Sequence, residues 1–280
     1  MEILRTITEV REYVVGQRAR GARIGLVPTM GYFHAGHLEL MRRAGGAGYT
    51  VVVSIFVNPT QFGPGEDYER YPRDLARDAQ MAQTAGADVL FVPEAAEMYP
   101  SGYGTYVQVE GVSEGLCGAA RPGHFRGVAT VVCKLFNIVQ PEAAFFGQKD
   151  YQQVMVIKRM AADLNLPVAI TVVPTVREAD GLAMSSRNTY LSPEERRQAL
   201  ALYQALRLGE RLIKSGERRA AAVETALREG LQKPGVRLDY AEVRRAGDLA
   251  RVEVIEDDAV LLVAAWVGQT RLIDNLVVGV

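Results

Sequence analysis

The sequence contains few of the features that mark secreted, nucleic-acid-binding or membrane proteins. It has two cysteines, Cys117 and Cys133, in 280 residues and no Cys-x-x-Cys pair, which fits a cytoplasmic protein without a disulfide framework. Lys plus Arg (32) nearly balance Asp plus Glu (33), so neither nucleic acid nor an anionic membrane is an expected partner. No apolar run approaches the roughly 18 residues of a membrane-spanning helix. Together with a hydrophobic fraction of 48%, these absences indicate a globular protein.

Short β-branched runs alternate with helical patterns over the first two thirds of the chain. Each run is almost wholly apolar, as in parallel strands that are covered on both faces. This alternation predicts an α/β fold with a doubly wound, Rossmann-like parallel sheet. The predicted strands are 23–29, 49–59, 87–93, 142–147 and 168–175, and the predicted helices are 37–48, 71–87, 125–139 and 151–165.

The pattern changes after about residue 190, where a long amphipathic helix is predicted. Ser192 is its expected N-cap, Pro193 its first residue, and Glu195 completes a capping box. A second helix is predicted near 217–232, and the chain ends in two strands joined by a type II′ turn at 268–269. These elements predict a smaller C-terminal α+β domain. The predicted domains are 1–175 and 176–280, with the Met-Ser-Ser-Arg segment in the linker.

Four polar, glycine-containing segments each follow a predicted strand. In an open parallel sheet the carboxyl ends of the strands lie on one edge, and ligands bind beyond it. We therefore expect these segments to form a ligand site. They are PTMGYFHAGH (28–37), NPTQFG (58–63), GQKDYQQ (147–153) and PTVREADGLAMSSRN (174–188).

The first segment contains two of the chain's three histidines, His34 and His37. Gly31 and Gly36 allow a tight turn, and His37 is predicted to open a helix whose first N–H groups and dipole favour an anion. Imidazoles at such a turn can donate hydrogen bonds to phosphate oxygens. A zinc site that also uses the third histidine, His124, is the alternative. The glycine turn is better explained by a phosphate, so phosphate is the favoured interpretation.

The segments 147–153 and 174–188 also contain side chains that are typical of a phosphate site. Ser185, Ser186 and Arg187 offer hydroxyls and a guanidinium for charge-assisted hydrogen bonds to a polyphosphate. Lys149 adds a positive charge, and Asp150 can accept hydrogen bonds from ribose hydroxyls. Neither a P-loop nor a G-x-G-x-x-G fingerprint occurs in the sequence. A different kind of nucleotide site is therefore predicted.

The HAGH and MSSR segments resemble the HIGH and KMSKS signatures of the nucleotidyltransferase superfamily. At a closer level, VPTMGYFHAGH, FVNPTQFG, YPRD, RPGHFRGVATVV, FFGQKDYQQ and PTVREADGLAMSSRNTYLS, in this order across 27–192, resemble the pantothenate synthetase (pantoate–β-alanine ligase) family. The resemblance implies a two-step ligase that uses ATP with Mg²⁺. Pantoate and ATP give pantoyl adenylate and pyrophosphate, and β-alanine then gives pantothenate and AMP. It also implies a cytoplasmic homodimer.

The resemblance also assigns roles to residues. It implies that His37 donates a proton in catalysis, that Gln61 binds pantoate and later faces β-alanine, and that Gln153 holds the hydroxyl end of pantoate. The implied catalytic residues are His37, His34, Lys149, Ser185, Ser186 and Arg187. The implied ATP-binding residues are Met30, Gly31, Tyr32, Phe33, His34, Ala35, Gly36, His37, Gly147, Gln148, Lys149, Asp150, Val176, Met184, Ser185, Ser186 and Arg187. The implied substrate-binding residues are Gln61, Gln153, Asn58, Thr29, His124 and Arg121, and no residue is implied to ligate a metal directly.

Three other functions remain open from the sequence. One is a nucleotidyltransferase that forms a nucleotide-diphospho product such as a CDP-alcohol, which the neutral amides Gln61 and Gln153 disfavour. Another is a zinc hydrolase built on the three histidines. The third is an inactive binding module, which the complete set of polar groups disfavours.

Overall fold

The computed structural model describes all 280 residues, which form nine strands and nine α-helices. The strands are β1 (Glu2–Leu4), β2 (Arg23–Thr29), β3 (Tyr49–Ile55), β4 (Val89–Phe91), β5 (Ala143–Gly147), β6 (Ala169–Val173), β7 (Val236–Arg245), β8 (Ala259–Val267) and β9 (Thr270–Val278). The helices are α1 (Ile7–Ala19), α2 (Ala35–Gly46), α3 (Leu75–Thr84), α4 (Ala95–Met98), α5 (Leu116–Ala120), α6 (His124–Val139), α7 (Tyr151–Asp163), α8 (Pro193–Lys214) and α9 (Ala220–Leu231). Short 3₁₀ helices lie at Pro59–Gln61, Gln148–Asp150 and Ser186–Tyr190.

The first six strands form one sheet in the order β1-β4-β3-β2-β5-β6, and every pair in it is parallel. The predicted doubly wound α/β sheet is confirmed. From β2 the chain adds β3 and β4 on one side and later returns to place β5 on the other. The winding therefore reverses beside β2, and this is the position at which open parallel sheets bind ligands. His34 ends the loop that follows β2, and His37 lies in the first turn of α2.

The apolar runs form the core of this sheet, as the sequence pattern predicts. Val27 on β2, Val53 on β3 and Leu90 on β4 are completely buried, and they pack in one cluster with Phe33 and Met41. Parallel strands that helices cover on both faces have no solvent side on which to place polar residues. Helix α6 is similarly buried over most of its length.

Strands β1 and β7 and helices α1, α4 and α5 were not predicted from the sequence. Strand β1 has only three residues and lies at the sheet edge, and α1 follows it directly. Strand β7 alternates exposed and buried residues and contains a register shift between Leu238 and Tyr240, so it lacks the continuous apolar run that identified the others. The predicted strand 49–59 ends at Ile55, because Asn58 and Pro59 begin a 3₁₀ turn there.

The C-terminal elements form an antiparallel sheet of three strands, and helices α8 and α9 pack against it. Strand order is β7-β8-β9, and Gly268, with φ of 55°, lies in the turn between β8 and β9. Helices α8 and α9 bury Leu206, Ile213 and Leu227 in one cluster with the apolar face of β8. The predicted capping box is confirmed: the Ser192 hydroxyl accepts from the Glu195 N–H, and the Glu195 carboxylate accepts from the Ser192 N–H.

The chain divides into two compact units. The first comprises 1–147 and 153–174, and the second comprises 148–152 and 175–280. The division predicted from the sequence, 1–175 and 176–280, differs from this one at residues 148–152 and at Thr175, all of which belong to the second unit. The segment 148–152 contains Lys149. None of the helices has both the length and the apolar composition needed to cross a bilayer.

We expect Ser192→Ala to lower the free energy of unfolding by about 0.5–2 kcal/mol, because the substitution leaves an N-terminal N–H of α8 without its side-chain acceptor. Urea unfolding followed by circular dichroism measures the change. The control is Thr225→Ala, at an exposed position inside α9, where the hydroxyl only donates back to the Ala221 carbonyl. A Ser192 variant as stable as the control would show that the cap contributes nothing.

Candidate active site

The histidine loop, residues 30–37, begins with a left-handed turn. Gly31 and Tyr32 have φ of 82° and 51°, a conformation that glycine adopts freely and other residues adopt at a cost. A Cβ on Gly31 would lie 2.9 Å from Cγ2 of Ile55 and 3.0 Å from a carboxylate oxygen of Asp78. Glycine is therefore required at this position for both its conformation and its size.

A buried carboxylate holds this turn. Asp78 on α3 is 1% exposed, and its two oxygens accept the N–H groups of Tyr32 (2.6 Å) and Phe33 (2.7 Å). The neighbouring Arg77 donates to the Phe33 carbonyl and lies over the Tyr32 ring. Burial raises the pKa of Asp78, although the two N–H donors and Arg77 oppose the shift. Sequence reasoning missed Asp78, because a carboxylate inside an amphipathic helix is usually solvent-exposed.

The two imidazoles are oriented by backbone donors. His34 is the N-cap of α2, and its Nδ1 accepts the Gly36 N–H at 3.1 Å, while Nδ1 of His37 accepts the His34 N–H at 3.4 Å. The rings stack with centroids 4.1 Å apart. Because each Nδ1 is an acceptor, each neutral ring has its proton on Nε2. The prediction that His37 opens the helix was wrong: the helix begins at Ala35, and His37 is its third residue.

Gln61 lies at the end of the neighbouring strand's loop and has a fixed orientation. It is 8% exposed, and its Oε1 accepts from Nδ2 of Asn58 at 3.0 Å. Its Nε2 therefore faces the other way and contacts Sδ of Met30, in the histidine loop, at 3.3 Å. The NH₂ group of Gln61, which is the hydrogen-bond donor of its side chain, is thus directed to the histidine loop.

Asn58 is held in turn by groups on three other elements. Its Oδ1 accepts from the Tyr99 hydroxyl (2.8 Å) and the Thr60 hydroxyl (2.9 Å), and its Nδ2 also donates to the Gly127 carbonyl (3.1 Å). Burial raises the pKa of Tyr99 to about 12, so its hydroxyl keeps its proton at neutral pH. Tyr99 was not predicted as a site residue, because the segment that contains it, after the predicted strand 87–93, has no recognisable motif.

His124 and Arg121 hold the Gln61 backbone. Nδ1 of His124 lies 2.9 Å from the Gln61 carbonyl, its Nε2 lies 3.0 Å from Nη1 of Arg121, and Nη2 of Arg121 donates to the same carbonyl. A guanidinium only donates, so Nε2 of His124 accepts and Nδ1 carries the proton. Arg121 also forms an ion pair with Glu66. Burial raises the pKa of the Glu66 carboxyl, but the hydrogen bond and charge of Arg121 outweigh burial, so the pKa is lowered.

Helix α6 approaches the Gln61 turn so closely that only glycine fits at the contact. A Cβ on Gly127 would lie 2.3 Å from the Thr60 carbonyl oxygen and 2.6 Å from the Gln61 nitrogen. The RPGHFRG segment therefore contributes a close backbone approach as well as the two polar side chains. The Gln61 backbone is therefore held by α6, and the Gln61 side chain contacts the sulfur of Met30 in the histidine loop.

The second unit contains the other two predicted nucleotide-binding segments. Val176 and Met184 are joined by a backbone hydrogen bond at the base of a short loop. Ser185 caps the 3₁₀ turn that follows, with its hydroxyl accepting the Arg187 N–H, and Ser186 is buried. Lys149 has a side chain 19% exposed, with Nζ 3.9 Å from the Asp150 carboxylate.

The remaining predicted residues support the loops or lie at their ends. The Thr29 hydroxyl donates to the Ser54 carbonyl and accepts the Gly31 N–H, so it is engaged in holding the turn. Gly147 ends β5, and Gln153 lies partly buried in the first turn of α7. The structure contains no grouping of three His, Cys, Asp or Glu side chains suited to a metal ion. His124, which the zinc alternative needs, is occupied by Gln61 and Arg121.

The fold and the histidine loop together define a class: a doubly wound α/β protein with an imidazole-capped helix at the reversal of its sheet, suited to an anionic ligand. Comparison with known proteins narrows the class. The family model described as Pantoate-beta-alanine ligase matches residues 2–277. The chain belongs to this family.

Its relatives match over their full length. A pantothenate synthetase of Moorella thermoacetica is 60% identical, with 100% of this chain and 99% of that protein covered. The crystal structure of pantothenate synthetase from Thermus thermophilus superposes with a TM-score of 0.94 at 49% identity, covering 99% of both chains. A pantoate-beta-alanine ligase from Francisella tularensis, complexed with beta-gamma ATP and beta-alanine, has a TM-score of 0.80 at 33% identity, covering 99% of this chain and 97% of that one.

We expect Asp78→Asn to slow any reaction that uses the histidine loop, because an amide NH₂ would face one of the two N–H donors. Leaving such a donor unpaired costs about 1–3 kcal/mol, which corresponds to roughly tenfold to two-hundredfold in activity if the cost falls on the loop. Pantoate-dependent ATP–pyrophosphate exchange measures the effect. The control is Asp88→Asn, whose carboxylate accepts the Val51 N–H near the start of β3, far along the strands from the histidine loop. Equal effects of the two substitutions would contradict a specific role for Asp78.

Proposed function

We propose that this chain condenses pantoate with β-alanine through a pantoyl adenylate, with ATP as the second substrate. The observation that carries the proposal is the contact between Gln61 and Met30. It places an oriented amide donor beside the loop that presents two imidazole Nε2–H groups. A small carboxylic acid held by the amide would then lie next to a nucleotide phosphate held by the imidazoles.

The first step is adenylation of the acid. A carboxylate oxygen of pantoate attacks the α-phosphorus of ATP, the bond to the β-phosphate oxygen breaks, and pyrophosphate leaves. Both reactants are anionic, so the reaction needs donors that offset the negative charge as it accumulates. The Nε2–H groups of His34 and His37 and the N-terminus of α2 supply fixed donors of this kind. We propose that His37 also donates its Nε2 hydrogen to the departing pyrophosphate, in a hydrogen bond that strengthens as the leaving oxygen gains charge.

The second step is aminolysis. The amine of β-alanine attacks the acyl carbon of the adenylate, the mixed anhydride bond breaks, and AMP leaves as the nitrogen loses a proton. An amide at Gln61 suits both steps, because it donates to a carboxylate or a carbonyl oxygen without adding charge. We propose that Asn58 fixes this amide and that Gln153 binds the hydroxyl end of pantoate.

The further nucleotide-binding residues of this proposal lie in the segments 148–150 and 185–187. Lys149 and Arg187 are the cations that would neutralise the phosphates, and Ser185 and Ser186 would donate hydroxyl hydrogen bonds. Because Mg²⁺ is bound mainly by phosphate oxygens and water, it enters with ATP and needs no dedicated protein cage. The Francisella tularensis ligase, complexed with beta-gamma ATP and beta-alanine, supports this pair of substrates.

The comparisons do not favour a nucleotidyltransferase that forms a nucleotide-diphospho product. Assembly as a homodimer and a cytoplasmic location are further parts of the proposal, and the family resemblance supports both. Neither Cys117 nor Cys133 forms a disulfide.

We expect pantoate alone, without β-alanine, to support ATP–pyrophosphate exchange, because adenylation precedes the entry of the amine. Incorporation of labelled pyrophosphate into ATP measures this. His37→Ala should lower the exchange rate by roughly 10²–10⁴-fold, the usual effect of removing an acid–base group. Exchange that appears only when β-alanine is present would contradict a separate adenylate.

We expect Gln61→Ala to weaken pantoate binding by roughly tenfold to two-hundredfold, since a ligand oxygen loses its donor in a desolvated pocket. The apparent affinity for ATP should change much less. Gln61→Glu is the matched variant, because it keeps the size of the side chain and replaces the donor with a carboxylate oxygen that repels pantoate. An equal loss of affinity for both substrates would show that Gln61 only shapes the loop.

A further inference from the structure

The side chain of Asn275, on β9, binds the backbone carbonyls on both sides of the Lys149 Cα. Its Nδ2 donates to the Gln148 carbonyl at 2.9 Å and to the Lys149 carbonyl at 2.8 Å, and its Oδ1 accepts from Nε2 of Gln148 at 3.3 Å. The residue is 1% exposed. Both amide hydrogens and the amide oxygen are therefore used on one short segment, which lies 126 residues away in sequence.

The contacts from Asn275 hold residues 148–150, a segment with little regular secondary structure of its own. Residues 148–150 form a single 3₁₀ turn between β5 and α7, and such turns have poorer internal hydrogen-bond geometry than an α-helix. Two successive carbonyls held by one buried amide leave little freedom in the direction of the bond from Lys149 Cα to Cβ. Tyr151, immediately after the turn, is also held within the second unit, because its hydroxyl donates to the Ala246 carbonyl at 2.7 Å.

The residue before Asn275 belongs to the same arrangement. Asp274 is 4% exposed and forms a two-point ion pair with Arg177, whose guanidinium also donates to the Asn275 carbonyl. Burial raises the pKa of Asp274, while Arg177 and the charge of Lys149 act against the shift. The Lys149 ammonium thus interacts electrostatically with the same two-residue stretch of β9.

We propose that Asn275 is a positioning residue for Lys149, and that it acts on adenylation through the placement of that ammonium. The inference rests on the proposed role of Lys149 in adenylation. A purely structural role for Asn275 would lower activity whether or not Lys149 is present. A positioning role requires Lys149, and a double-mutant cycle therefore separates the two.

The experiment measures pantoate-dependent ATP–pyrophosphate exchange for four proteins: the unsubstituted chain, Asn275→Leu, Lys149→Ala and the double variant. Displacing a charged group by about 1 Å can cost around 100-fold, so we expect a drop of that order in kcat and an equal drop in kcat/KM for Asn275→Leu. In the Lys149→Ala background the same substitution should change the rate by about twofold or less, within the usual limit of additivity.

Leu261→Ala controls for lost stability, because it opens a cavity in the same unit at a fully buried leucine of β8 without touching Lys149. Its exchange rate per folded molecule should match that of the unsubstituted chain. Asn275→Asp repeats the cycle with a side chain of the same size, in case the leucine variant does not fold. Its carboxylate would face the two carbonyls that the amide now holds.

Equal losses in both backgrounds, or no loss from either Asn275 substitution, would overturn the proposal. If Lys149→Ala itself exchanges normally, Lys149 has no part in adenylation, and the positioning role is refuted together with that assignment. A chain that shows no pantoate-dependent exchange at all would instead refute the proposed function, which distinguishes the two failures.

Discussion

The geometry of the histidine loop depends on one carboxylate, that of Asp78. The loop turns through two left-handed residues, Gly31 and Tyr32, and directs the N–H groups of Tyr32 and Phe33 towards α3. Those N–H groups are removed from water, so an acceptor has to meet them there. Because the turn is fixed, α2 begins at a set point and its cap, His34, has one orientation. The stacked His34 and His37 rings follow from that arrangement.

The same constraint explains the other parts of the site. Buried amides and guanidiniums need partners for every donor and acceptor, and satisfying them fixes their orientation. Asn58 uses both ends of its amide and so leaves Gln61 with only its NH₂ group to offer. Asn275 likewise uses its whole amide on the Lys149 segment. In both cases the buried, neutral amide of an asparagine determines the direction in which a neighbouring group points.

Much of the fold could be predicted from the sequence because parallel strands covered on both faces leave a continuous apolar run. The runs that became β2, β3, β4, β5 and β6 were all identified in this way. Strand β1 is too short to show a pattern, and β7 alternates because one of its faces is partly exposed, so neither was found. The helix start at Ala35 was misplaced because an imidazole cap is not among the usual Ser, Thr, Asp or Asn signals.

The sequence by itself determined the α/β class, the capping box of α8, the segments that carry polar groups and the family to which the chain belongs. These are local properties, visible in spacing, in hydrophobic pattern and in motif order. Only the tertiary structure decided which partner holds each polar group: Asp78 for the histidine turn, Tyr99 for Asn58 and Asn275 for the Lys149 segment. Such partners lie 41 to 127 residues apart in the chain, so no local pattern marks them. They are chosen by the need to satisfy buried donors and acceptors once the sheets have formed.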